Sequence, residues 1–122
     1  MKESNDGTNE TPDDIGVSPA AIAELKQQYG ANRLSAVPSP DGLHWIVQRP
    51  TKAIWSLYVQ DARKEGSDGT AVNDRLVMDC VVYPDRKQVA GILQDYPAFS
   101  SSLSNVLGTM AGLNSELSVK KL

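Results

Sequence analysis

The stretch from Asn73 to Ala111 constrains the fold of this chain more than any other. It reads NDRLVMDCVVYPDRKQVAGILQDYPAFSSSLSNVLGTMA and joins the densest apolar run to two prolines, Pro84 and Pro97. A helix cannot run through either proline without losing a backbone hydrogen bond, so both mark corners. Leu76, Val77, Cys80 and Val81 recur at helical spacing and predict a helix over about 71–82, capped by Thr70 or Asn73. Val81, Val82 and Tyr83 equally suit extended backbone, so the residues before Pro84 read as helix end or as strand. Asp85, with Gln88 three positions on, has the form of a capping box and opens a further helix. Val89, Ile92, Leu93 and Tyr96 would form its buried stripe. Gly91 inside that helix costs about 1 kcal/mol relative to alanine, which implies close packing of another helix. Beyond Pro97, the residues Leu103, Val106, Leu107 and Met110 give a last helix its apolar face. Gly108 permits close approach there, and Gly112 is the expected stop.

Upstream, Ser18 and Pro19 suit the N-cap and first position of a helix over Pro19 to Tyr29, ended by Gly30. Ile22, Leu25 and Tyr29 share one face of it. Residues 33–37 and 43–48 predict two antiparallel strands joined by the turn-forming sequence PSPDG. Leu43, Trp45 and Val47 would point one way, and His44, Ile46 and Gln48 the other. Neither face is purely polar, so both are expected to be partly covered. A lone hairpin is unstable, so it must lean on helices or pair with a partner's sheet. Thr51 caps a second helix over about 52–65, with Ile54, Trp55, Tyr58, Val59 and Ala62 as its apolar face and Leu57 widening it. Glu65 to Thr70 then reads as a flexible turn. The fold class is therefore α+β: a mostly helical small domain with an N-terminal two-stranded β-hairpin and four to five short helices.

Charge divides the chain. Glu3, Asp6, Glu10, Asp13 and Asp14 against Lys2 give residues 1–17 a formal charge of -4, while the whole chain carries -3. That segment reads as a disordered acidic tail, residues 18–112 as one globular domain, and residues 113–122 as a flexible C-terminal tail. The nearly neutral body exerts little pull on nucleic acid or anionic lipid. Arg33, Arg49, Lys52, Arg63, Lys64, Arg75, Arg86 and Lys87 are dispersed and interrupted by acids. The acidic start has no apolar leader, and no run is long enough to span a membrane, so a cytoplasmic protein is expected.

No pattern of reactive residues stands out. His44 is the single histidine and Cys80 the single cysteine, too few for a usual zinc set. Cys80 sits in an apolar run, where an inert buried thiol is expected. Asp61, Glu65 and Asp68 lack the donor spacing of a calcium loop. The residues predict no catalytic centre, no metal and no cofactor. They point to a protein-binding role, with Trp45, Trp55, Tyr96, Phe99, Leu103, Leu107 and Met110 as contact candidates and a homo-oligomer as one possible assembly.

A hairpin ending at Trp45-Ile46-Val47, a helix opening at Pro50-Thr51-Lys52, the run from Leu76 to Asp85, the Tyr96-Pro97 corner and a final helix with Met110-Ala111-Gly112 form one combined pattern. Over about residues 33–112 it resembles small tail-assembly proteins of tailed bacteriophages, the chaperone type encoded near the tape-measure protein. The resemblance implies a helical, non-enzymatic protein. It would coat the long helical tape-measure protein until the tail tube forms, holding that partner's amphipathic helices in apolar grooves. Several members of that family occur also as a longer frameshifted product.

Overall fold

The computed structural model describes residues 16–113 and 118–122. Of the expected tails, residues 1–15 and 114–117 lie outside the described residues. The rest is an α+β domain with five helices and a three-stranded antiparallel sheet in the order β1-β2-β3.

Helix α1 spans Pro19–Tyr29. Ser18 caps it by accepting the Ala21 N–H at 3.1 Å, and the Gly30 N–H closes its last turn onto the Lys26 carbonyl. Strands β1 (Leu34–Pro38) and β2 (His44–Gln48) form the hairpin. Their register pairs Leu34 with Gln48 and Pro38 with His44. The connecting turn needs Gly42 at φ 86°, where a side chain would be strained. Leu43 lies in this turn, not in the strand, and is 49% exposed.

Helix α2 (Lys52–Arg63) is capped by Thr51, which accepts the Ile54 N–H at 3.1 Å. Helix α3 spans Gly69–Cys80. Its cap is Asp68, whose carboxylate accepts the Thr70 N–H at 2.9 Å, so the helix begins earlier than Thr70 or Asn73 would place it. Val81–Tyr83 form strand β3, paired antiparallel with β2 through Ile46↔Tyr83 and Val47↔Val81. The hairpin is thereby extended to three strands.

A cis Tyr83-Pro84 bond leads to helix α4 (Arg86–Asp95). Asp85 accepts the Gln88 N–H at 2.9 Å as expected of its cap. Burial works to raise the Asp41 pKa, but hydrogen bonds from Ser39, the Leu43 N–H and Gln88 hold it below the usual carboxylate value.

Helix α5 (Phe99–Met110) ends in a Schellman motif. The Leu113 N–H donates to the Gly108 carbonyl at 2.8 Å and the Gly112 N–H to that of Thr109 at 3.0 Å, with Gly112 at φ 106°.

The sheet is covered on both faces because its residues alternate. Trp45, Val47 and Val37 enter the larger core with Leu76, Val77, Cys80, Val89, Leu93, Leu103 and Leu107, and Val81 packs against it. Ile46 faces the other way, joins Val17, and is covered by Ile22 and Leu25 of α1 with Leu34 and Val82. The result is three layers, with α1 below the sheet and the helical core above it.

Two stripe expectations are corrected. Tyr96 is 48% exposed, because α4 ends at Asp95 and the Tyr96 backbone (φ -130°, ψ 70°) leaves the helical path. Gly91 faces open space: an added Cβ would meet nothing within 4 Å, so no helix packs there.

Candidate protein-interaction surface

The seven contact candidates separate by burial. Trp45, Leu103 and Leu107 are closed core positions, at 0%, 2% and 0% exposure, and a partner reaches them only by opening the fold. The Trp45 ring meets Phe99 edge to face with centroids 5.3 Å apart. Phe99, Trp55 and Met110 are half-buried against the core. Tyr96 is the one candidate presented outright.

Apolar residues of α2, α3 and the end of α5 nevertheless lie in succession along one side of the helical layer. Gly108 has no side chain, so neighbours lie directly over α5. A Cβ built there would stand 3.3 Å from Leu113 Cδ2 and 3.5 Å from Trp55 Cη2. From Trp55 the surface passes to Tyr58, whose ring lies 4.9 Å away, centroid to centroid. The Tyr58 hydroxyl donates to Asn73 Oδ1 at 3.3 Å, which holds α2 beside α3. Ile54, Leu57 and Tyr58 then line a narrow crevice with Val72 and Leu76 of α3, edged by Asp61, Arg75 and Asp79. The strip is thus Leu113, Trp55, Tyr58 and Leu57. Its ends are the open parts: Leu113 is 63% exposed and Leu57 40%. It is a shallow strip and not the apolar groove that the resemblance implies. Leu57 and Leu113 are additions to the contact candidates. Leu57 was visible as the residue widening the face of the second helix, and Leu113 had no signal beyond following the glycine stop.

The charges beside the strip are largely satisfied inside the fold. Asp61 accepts from Arg75 of α3 at 3.3 Å and from Lys64 at 3.5 Å. Arg33 donates to the Arg49 carbonyl, Arg49 to the Asn32 carbonyl at 2.7 Å, and Arg86 to the Met78 carbonyl at 3.2 Å. Arg33, Arg49, Lys64, Arg75 and Arg86 therefore act as local staples. Of the carboxylates whose spacing was unsuited to a calcium loop, Asp61 is held by Arg75 and Lys64, and Asp68 caps α3. Among the described residues no group of three or more His, Cys, Asp and Glu is placed to hold a metal ion.

Cys80 is fully buried. Burial, helped by the neighbouring Asp79 charge and opposed by Arg33, pushes its thiol up to about 12. His44 is half-buried at the start of β2. Among the described residues no helix is long and apolar enough to cross a membrane.

A family model described as a domain of unknown function (DUF6848) matches residues 19–120. No curated protein matches the sequence. Among solved structures, an uncharacterised protein from Bacillus stearothermophilus is similar over 80% of this chain and 98% of its own, with 18% identity and a TM-score of 0.66. At that identity the likeness is one of fold.

Proposed function

The chain belongs to the DUF6848 family, and from its surface we propose that it is a non-enzymatic protein-interaction domain, small and regulatory or structural in role. The observation that carries this reading is the apolar strip from Leu113 over Gly108 to Trp55, Tyr58 and Leu57. Exposed apolar residues that are contiguous cost solvation unless something covers them, and a rigid two-helix platform suits an amphipathic helix. Two further features agree with it. The Cys80 thiol holds its proton at neutral pH, so it supplies no nucleophile. Trp45 lies inside the core and offers no face for stacking on bases.

The test is to pan a displayed library of twenty-residue amphipathic helices against the full chain. Binders should lose their affinity to Leu57→Glu or Leu113→Glu protein, while the melting temperature of either variant stays within a few degrees of the parent. Binders indifferent to both substitutions, or none at all, would sink the proposal.

The likeness of the Leu76–Asp85 run to tail-assembly chaperones favours a second, narrower form. In it the partner is a long helical tape-measure protein in the cytoplasm of a phage host. Co-expression with such a protein should then give one species on size exclusion, and separate elution would remove this form.

A further inference from the structure

We infer that the outer edge of β1 pairs with the same strand of a second copy of this chain, antiparallel and centred on Ala36, to make a dimer with one continuous sheet. The ladder decides which groups face outward. The Arg49 N–H donates to the Arg33 carbonyl at 2.7 Å and the Ser39 N–H to the Leu43 carbonyl at 2.9 Å, and both pairs continue the β1–β2 register. Hydrogen-bonded positions alternate in an antiparallel pair, so Ser35 and Val37 turn their backbone groups to β2. Leu34, Ala36 and Pro38 turn theirs away from it. Strand β1 ends the sheet, and among the described residues no backbone group beyond the ladder answers them.

Edge strands are ordinarily guarded by charged side chains, proline or a covering element. Strand β1 carries no charged residue, and Ser35, Ala36 and Pro38 are exposed. Its proline stands last and withdraws a donor only from the end of the row. The opposite edge, β3, is three residues long and stops at Pro84, so it offers less to a partner.

Two features select a second copy as the occupant. The first is the order of donors and acceptors. With the strands centred on Ala36, the whole of Leu34–Pro38 overlaps. Each Ala36 N–H then meets the other Ala36 carbonyl, and each Leu34 N–H meets the other Pro38 carbonyl. Every outward donor is satisfied, and the N–H that Pro38 lacks leaves only a Leu34 carbonyl to water. The second feature is charge. At the Leu34 end two guanidinium groups gather, Arg33 on the Arg49 carbonyl and Arg49 on the Asn32 carbonyl. Beyond the Pro38 end lies Asp41, its carboxylate fixed to the turn by the Ser39 hydroxyl and the Leu43 N–H. Antiparallel pairing brings the Asp41 end of each copy beside the Arg33–Arg49 end of the other, so opposite charges meet at both ends. Parallel pairing would set like beside like.

The test is sedimentation equilibrium of the full chain from about 10 µM to about 1 mM. An edge this short makes a small interface, so a dimer with Kd of about 1–100 µM is expected. Ala36→Pro removes the central outward N–H and leaves the β1–β2 ladder whole. Dimerisation should weaken about tenfold or more while the circular dichroism stays unchanged. Ala36→Glu sets like charges face to face at the axis, should act alike, and decides the matter if Ala36→Pro does not fold. Under mild oxidation Ala36→Cys should link into a covalent dimer far faster than Ser67→Cys, which is equally exposed but lies on the turn after α2. Buried Cys80 takes no part. A monomer at every concentration, a dimer indifferent to both Ala36→Pro and Ala36→Glu, or equal linkage at the two cysteine positions would overturn the pairing. Leu57→Glu should leave the dimer intact, because the apolar strip is built by other elements. A dimer lost to that substitution would overturn the edge assignment, while helix binding at the strip is read separately and can stand.

Discussion

Trp45 of β2 and Phe99 at the start of α5 meet edge to face, at 79° between rings and 5.3 Å between centroids. This contact joins the central strand to the last helix. It also decides what the Pro97 corner does: Phe99 is a clamp on the core before it is anything for a partner. Phe99→Ala should therefore lower stability by about 2–3 kcal/mol, from lost burial and the lost ring pair. Urea unfolding of the variant checks this. A shift in midpoint of less than a tenth of the wild-type value would show that the ring is not part of the core.

Two glycines in helices should behave differently. At Gly91 an added methyl meets nothing, so Gly91→Ala gains helix propensity and should raise stability by about 1 kcal/mol. At Gly108 the same methyl meets Leu113 Cδ2 at 3.3 Å and Trp55 Cη2 at 3.5 Å. Leu113 is exposed and must give way, so Gly108→Ala should gain less. Thermal melts of the two variants side by side test the order, and a larger gain at Gly108 would contradict it.

Aspartate at two positions of the helical core should grade with burial. Leu103 is 2% exposed, and Leu103→Asp buries a charge with no counter-ion, which should cost more than about 4 kcal/mol and leave the chain unfolded. Ile92 is only half-buried, so Ile92→Asp should cost about 1–3 kcal/mol and leave a folded but weaker protein. Far-ultraviolet circular dichroism separates these outcomes.

Cys80 gives a pH dependence whose sign is fixed by its environment. Its thiol is raised from 9.0 to about 12 in the fold. The unfolded chain therefore releases this proton first as pH rises. The contribution is whole below pH 9 and is lost on the way to 12. Between those limits, wild-type stability should fall more steeply than that of Cys80→Ala, measured by urea midpoints. The thiol should also resist a disulfide reagent at pH 8 until urea is added. Rapid reaction in the native state would show that the site is open.

The local parts of this fold were legible in the chain. Ser18, Thr51 and Asp85 cap where their side chains and the following apolar spacing put them, since a cap depends only on its own turn. Gly112 likewise ends α5 for a reason local to it. What escaped was set by distant residues. Val81 to Tyr83 suit helix or strand alike, and pairing with Ile46 and Val47 decides for strand. Asp68 was hidden as a cap because two glycines around it read as a loose turn. Tyr96 kept its helical spacing on paper, but the backbone turns away one residue too soon. The surface was less legible than the core. Trp45, Leu103 and Leu107 are large and apolar, which marks a contact residue and an interior residue equally well. The strip depends on Gly108 letting both Trp55 and Leu113 lie close over α5, and no spacing rule announces that.

The clamp between Trp45 and Phe99 also orders events during synthesis. The ribosome delivers the indole about fifty residues before the phenyl ring that closes over it, so the nascent hairpin travels with one greasy flank bare. Translation halted ahead of Phe99 would release a fragment unable to bury that flank, and such a fragment should clump or be degraded.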